Sequence, residues 1–330
     1  MLTAKHLVVL FVGLLLGCRE VDDLSPNKPL SLPNYRPFYP QSPFYDTIAA
    51  NAVVDPHSNQ MIQALVAQAQ QGFVLAVKEW TVPVYFADAQ MPRVDVKLTA
   101  GWAPKKWLRD VPIPEWAEPD PEADGHMVVV DTSAGCVYDF WKMRATSRGW
   151  KAAWGNALPL DSEGIFPKGL SARGSGFELM QGVVWPWELT QGAIEHALIF
   201  SFDHTRAGGP VPPATESDGT TDAIWAIPEG ARLQLDPDLD LDSLGLTDYE
   251  RVLARALQRY GMICADDGGG LQLYAINPIC VQGNPWARWW GEQTLVSLAR
   301  IPAARFRVLK LPPQQYTSPV LVPNNCAQFE

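Results

Sequence analysis

The sequence predicts an all-β protein of the β-sandwich or jelly-roll type, with a few short helices, one of them near 247–261. From Phe73 onward short apolar runs recur, separated by Pro, Gly or Asp clusters, a density of strands that argues against alternating βαβ units. Within Asp124–Trp141 two strand-like runs flank the Gly-containing turn Thr132-Ser133-Ala134-Gly135, a hairpin signal. A hydrophobic content of 47% against 19% charged residues supplies enough apolar surface for a core, and 330 residues suit one large or two ordinary domains.

The first element is a leader at residues 1–17, with a polar start at Lys5 and His6. The apolar run from Leu7 to Leu16 is too short to span a bilayer stably. It ends in Leu15-Leu16-Gly17-Cys18, which resembles the lipobox of bacterial lipoprotein signal peptides. That resemblance implies cleavage before Cys18, lipidation of Cys18, and export with a lipid anchor at the outer membrane or cell surface. Residues 18–42 are rich in Pro, Asn and Ser and read as a flexible tether. Residues 43–330 read as a single β-rich domain, with a Trp- and Pro-rich extension from about 281.

Asp55-Pro56-His57-Ser58-Asn59 precedes Met61, Ile62, Leu65 and Val66, a spacing that predicts a short helix over 57–70. Strands are expected at 73–77, 83–87, 94–98, 126–131, 136–142, 182–185, 193–203, 231–235, 272–276 and 305–311, with 102–123 as a surface loop. Thr247 caps a run with Tyr249, Val252, Leu253, Ala256 and Leu257 at helical spacing, stopped by Gly261. Arg251, Arg255 and Arg259 form a basic stripe that balances Asp236, Asp238, Asp240 and Asp242. That acidic ladder lacks the Gly and terminal Glu of an EF-hand loop, so it predicts no calcium site.

With Cys18 used for lipid, Cys136, Cys264, Cys280 and Cys326 remain, and four cysteines allow three pairings. The expected bonds are Cys264–Cys280, closing a local loop, and Cys136–Cys326, pinning the tail to the hairpin. Buried free thiols are the alternative. No Cys-x-x-Cys spacing occurs, and no cofactor or metal is expected.

Candidate site residues come from strands and turns. Strand alternation places His126 and Tyr138 on faces shared with core residues, with Asp131 at the hairpin end. It also places His196 on the apolar face of 193–203, as a satisfied core histidine or as a base whose charged form burial disfavours. Glu188 lies beside Trp185 and Trp187, a carboxylate next to two rings that suits a sugar subsite; the competing reading is a helix or turn starting at Pro186. Glu216 and Asp218 sit in a polar loop, and Arg232 enters a strand. The loop Ser171-Ala172-Arg173-Gly174-Ser175-Gly176 lacks both a nucleophile elbow and a phosphate-loop lysine.

Asp-Gly-His-Met-Val-Val-Val-Asp with Val-Tyr-Asp-Phe-Trp, Gly-Ala-Ile-Glu-His-Ala-Leu, Ile-Pro-Glu-Gly-Ala-Arg-Leu-Gln-Leu-Asp-Pro and Ala-Leu-Gln-Arg-Tyr-Gly-Met, in this order over about 42–276, resemble a group of exported, β-rich bacterial proteins without an assigned activity. The resemblance implies one cooperative β-rich unit and no particular reaction.

A formal net charge of −10 opposes binding to nucleic acid. Export, β-sandwich character and 13 Trp residues point to a carbohydrate-active protein at the cell surface, whose partners are a polysaccharide and, through the lipid alone, a membrane. A lyase would draw its base and its neutralising group from His126, His196, Tyr138 and Arg232. A hydrolase would pair Glu188 with Asp131 or Asp218. A glycan-binding or structural lipoprotein without catalysis is the alternative, and a metal held by His126, His196 and a carboxylate is a weaker one.

Overall fold

The computed structural model describes residues 28–33, 39–69, 71–316 and 318–330. The leader, Cys18 and its lipobox, and residues 19–27 and 34–38 of the expected tether lie outside these. Three sheets and four short α-helices make up the described fold, so the protein is all-β and sandwich-like.

The largest sheet has seven strands, in the order Leu295–Ser297, Val74–Ala76, Gln272–Tyr274, Leu198–Phe202, Met262–Asp267, Arg232–Leu235 and Phe306–Val308. It is mixed: Val74–Ala76 runs parallel to Gln272–Tyr274, and Leu198–Phe202 parallel to Met262–Asp267. A four-stranded sheet holds Val84–Ala87, Met127–Asp131, Cys136–Trp141 and Trp154–Pro159, and a five-stranded one holds Gln328–Phe329, Trp107–Pro112, Arg93–Leu98, Gly149–Ala152 and Arg144–Thr146. Every residue of Met127–Asp131 is buried, as its unbroken valine run requires of a strand covered on both faces. One apolar cluster joins core residues of all three sheets.

The expected hairpin forms, with Asp131 opposite Cys136. The helix Asp248–Arg259 carries the expected cap: the Thr247 amide donates to Glu250 Oε2 at 2.8 Å, and the Glu250 amide to Thr247 Oγ1 at 3.4 Å. The helix Ser58–Gln68 also forms, with His57 exposed at its N-cap. Arg251 pairs with Asp242, as charge balance suggested, while Asp236 pairs with Arg305.

Other expectations are corrected. Within 102–123 the half-buried strand Trp107–Pro112 forms, its period hidden by Arg109-Asp110 and Pro112. Residues 182–185 contribute one bridge, Val184 to Ala275, and no strand. The strand expected at 193–203 begins at Leu198, because the Ala193 amide closes the preceding helix on Glu188 O and the Ala197 amide donates to Phe44 O. The strands at 144–146, 149–152, 154–159, 262–267, 295–297 and 328–329 had no separate expectation; several are short or follow directly on another element. Tyr39 is buried and its amide donates to Leu160 O at 3.1 Å, so the folded body reaches ahead of residue 43.

Cys136 and Cys326 form a disulfide across 190 residues of sequence, pinning the tail to the hairpin. Cys264 and Cys280 do not pair; both are buried free thiols. Cys264 lies within the strand Met262–Asp267, and the Cys280 thiol donates to Asn277 O at 3.1 Å in a separate turn. Among the described residues no helix is long and apolar enough to cross a membrane.

Candidate functional site

A cleft of about 700 Å³ opens where the hairpin base, two loops and the end of a central strand meet. Each wall follows from local chain geometry. Lys142 and Met143 amides donate to the carbonyls of Asp124 and Gly125 at 2.7 and 3.0 Å, which closes the hairpin base and presents Asp124. The Trp141 indole donates to Asp124 Oδ1 at 3.1 Å. His126 lines the same cleft and is almost fully buried. Burial pushes its imidazole down to about 4, against the upward pull of Asp124, so it is uncharged at neutral pH.

The second wall is the loop Leu170-Ser171-Ala172-Arg173-Gly174. Its first carbonyl accepts from Trp154 Nε1 at 2.7 Å and Asn156 Nδ2 at 3.0 Å, tying the loop to the four-stranded sheet. Arg173 is buried; its guanidinium lies 5.5 Å from the Tyr274 ring centroid and its Nε is 3.9 Å from Asp266 Oδ2. Arg173 Nε and Nη1 have no hydrogen-bond partner among the described residues. Burial raises the carboxyls of Asp139, well above its usual range, and of Glu178, to about 7; both feel the Arg173 charge.

The third wall is the loop Thr215–Asp218. Thr215 donates to Phe166 O and Ser175 O, and Glu216 Oε2 accepts from the Leu170 amide at 2.7 Å. Burial pushes the Glu216 carboxyl up to about 7. The two loops meet closely: a Cβ on Gly174 would lie 2.7 Å from Asp218 Oδ1.

A β-bulge supplies the last wall. Cys264 pairs with Phe200 but Asp266 with Ser201, leaving Ala265 as the extra residue. Such a bulge re-aims the side chains that follow it, here Asp266 and Asp267, both of which line the cleft. Burial pushes Asp266 up to about 7. Behind it Glu229 is fully buried, with neither carboxyl oxygen hydrogen-bonded among the described residues. Burial, then the nearby Asp218, raise Glu229 well above the carboxylate range.

Two indoles stand at the rim: Trp80 is 40% exposed and Trp102 57%. Trp80 has φ +56, a backbone state uncommon for a bulky residue and concentrated near functional sites.

No family model, curated protein or solved structure matches this chain.

Of the residues singled out from sequence, His126, Glu216 and Asp218 share this cleft. The others do not line it, and most are already bonded elsewhere. His196 Nε2 lies 3.0 Å from Glu188 Oε1, its Nδ1 is 2.9 Å from Ala197 O, and Glu188 Oε2 accepts the Trp185 amide at 2.9 Å. Glu188 thus sits in the first turn of the helix Pro186–Gln191, which does start at Pro186. Trp185 and Trp187 stack on each other at 4.4 Å, and Trp185 is buried. Asp131 accepts from the Ser133 and Ala134 amides at 3.0 Å each and from Arg93 at 2.5 Å, which fixes the hairpin turn. Arg232 donates to Pro43 O and Asp46 O, and Tyr138 is a buried strand residue.

Sequence reading passed over Arg173, Asp266, Tyr274 and Asp124 as site residues. One signal was available: Asp266-Asp267 followed by Gly268-Gly269-Gly270 marks a strand ending in acids beside an open turn. Arg173 and Tyr274 carried no comparable signal.

Proposed function

We propose that the cleft binds and hydrolyses a polysaccharide with uncharged sugar units. The observation that carries this reading is the meeting, in one cleft, of two exposed indoles and a carboxyl group held near neutrality, Glu216. Indole faces stack on pyranose rings, and an acid that keeps its proton at neutral pH can donate it to a leaving glycosidic oxygen. Glu216 is assigned that donor role. Asp124, oriented by the Trp141 indole, takes the proton of the water whose hydroxyl joins the anomeric carbon as the C–O bond breaks.

Charge favours a hydrolase over a lyase. Asp124, Glu216, Asp218, Asp266 and Asp267 line the cleft, against one arginine, whose side chain is buried, and a neutral histidine. A uronate polymer would meet this field with repulsion, and His196 and Arg232 are bonded elsewhere. A binding-only module would present its rings on a flat face; the polar cleft supports catalysis instead.

The chain's address remains part of the proposal. The lipobox-like Leu15-Leu16-Gly17-Cys18 supports export and lipid anchoring at the outer membrane, and the Cys136–Cys326 bond suits an oxidising compartment.

The test is incubation of the purified protein with a polysaccharide panel. New reducing ends without ultraviolet absorbance of an unsaturated uronate are expected, and Glu216→Gln should abolish them. Absorbing product would instead establish a lyase; retention on a glycan without any product would establish a binding module.

A further inference from the structure

Asp218, Glu229 and Asp266 come from three separate segments, yet each offers a carboxylate oxygen within 4.8 Å of the others. Asp218 is exposed, Asp266 part-exposed and Glu229 buried, so the group runs from solvent into the protein. Acidic clusters are common; what sets this one apart is Glu229. Neither oxygen of this fully buried carboxyl meets a partner in good hydrogen-bond geometry among the described residues, although the Ser217 and Asp218 side chains act on it, and such a group is costly without a counterpart. Arg173 does not supply it: its Nε approaches Asp266 only to 3.9 Å, and its contacts are with Asp266, Tyr274 and Leu179 O. Of the three carboxyls, Asp266 is the one with an ion-pair contact to Arg173 among the described residues.

We propose that Asp218, Glu229 and Asp266 form a divalent-cation site of the calcium class. All-oxygen ligands select a hard cation. Three carboxylates from separate segments suit calcium, which takes oxygen ligands at about 2.3–2.6 Å in flexible geometry, whereas magnesium demands near-ideal octahedral geometry at about 2.0–2.1 Å and keeps several waters. Ligand oxygens that all lie within 4.8 Å of one another can converge on one such ion. The ion would tie the loop carrying Asp218 to the bulged end of the strand Met262–Asp267 and to the turn at Glu229. It would thereby hold the neighbouring Glu216 in the cleft wall. This site differs from the EF-hand-type ladder excluded from sequence and from any site built on His196. A cation here would offset part of the acidic field that Asp218 and Asp266 lend the cleft, so the titration below reads the site apart from the substrate and reaction proposed above.

The test is calorimetric titration of the chelator-treated full-length protein with calcium chloride, paired with thermal unfolding. One calcium per chain is expected, with a rise in Tm and weaker binding of magnesium. Asp218→Asn and Glu229→Gln should each weaken calcium binding at least tenfold. Asp218 is exposed, so its variant keeps the test decisive even where Glu229→Gln fails to fold. Absence of calcium binding by the unaltered protein overturns the proposal; a Tm gain in Glu229→Gln would then indicate a shared proton. Undiminished affinity in Asp218→Asn, or tighter binding of magnesium than calcium, overturns it equally.

Discussion

Gly174 leaves the space that the Asp218 carboxyl occupies: a Cβ there would come within 2.7 Å of the carboxyl carbon and of Oδ1. Gly174 does not have a positive φ, so its backbone accepts alanine without strain. The atoms in the way are the end of an exposed side chain, which can swing aside. Gly174→Ala should therefore change unfolding free energy by less than about 1 kcal/mol. Calcium affinity should fall about tenfold, equivalent to roughly 1.4 kcal/mol. Calorimetry beside a melting curve reads both; a large loss of stability with unchanged affinity would contradict this account.

Glu216→Gln keeps the acceptor that receives the Leu170 amide while removing the transferable proton. Glycan cleavage should drop by about 10²–10⁴-fold, the usual worth of a positioned acid. Tm should stay nearly constant. Activity within a few-fold of the parent would remove Glu216 from the donor role.

His196 and Glu188 are assigned to structure. His196→Ala leaves the buried Glu188 Oε1 without its 3.0 Å partner. A loss of about 1–3 kcal/mol in stability is expected, the usual cost of removing one partner of a buried hydrogen bond. Cleavage per folded molecule should be unchanged. A selective loss of activity at constant Tm would return this pair to the site.

Two buried groups give stability opposite pH slopes. For His126 the folded value is lowered to about 4 from 6.5, so the unfolded chain binds the proton more readily between those values. Its contribution is present above pH 6.5 and is lost as pH falls toward 4, by up to about 3 kcal/mol. For Glu178, raised to about 7 from 4.5, the contribution is present below 4.5 and is lost as pH rises through 7. Denaturant unfolding of His126→Gln should show a smaller acid-side loss, and Glu178→Gln a smaller neutral-side one, the remainder of the latter coming from Glu216 and Asp266, which burial also raises to about 7. Parallel profiles for variant and parent would refute the assignment.

The Cys136–Cys326 bond closes a sequence separation of 190 residues. Replacing Cys326 by Ser should cost about 2–5 kcal/mol, the usual range for a native cross-link. The tail strand Gln328–Phe329, paired with Trp107–Pro112, and the Phe329 ring stacked on Trp154 at 5.6 Å should loosen first. Limited proteolysis should then cut the tail before the core; simultaneous loss of both would argue against a local clamp.

The sequence alone determined what depends on neighbours along the chain. Alternation and unbroken valine runs specified the hairpin at 127–141, Thr247 as a cap specified the start of Asp248–Arg259, and the density of short apolar runs specified an all-β core. The same local signals left His196 between core residue and base, and set Glu188 between helix cap and sugar acid. Only the tertiary structure decided those pairs, because it alone showed that each had used its hydrogen-bonding capacity on the other and on nearby backbone. It also decided the cleft. Asp124, Arg173, Glu216 and Asp266 are far apart in sequence and meet through a hairpin base, two interlocked loops and a one-residue bulge. No period or motif encodes such a meeting, since a bulge shifts which face a side chain takes without altering composition.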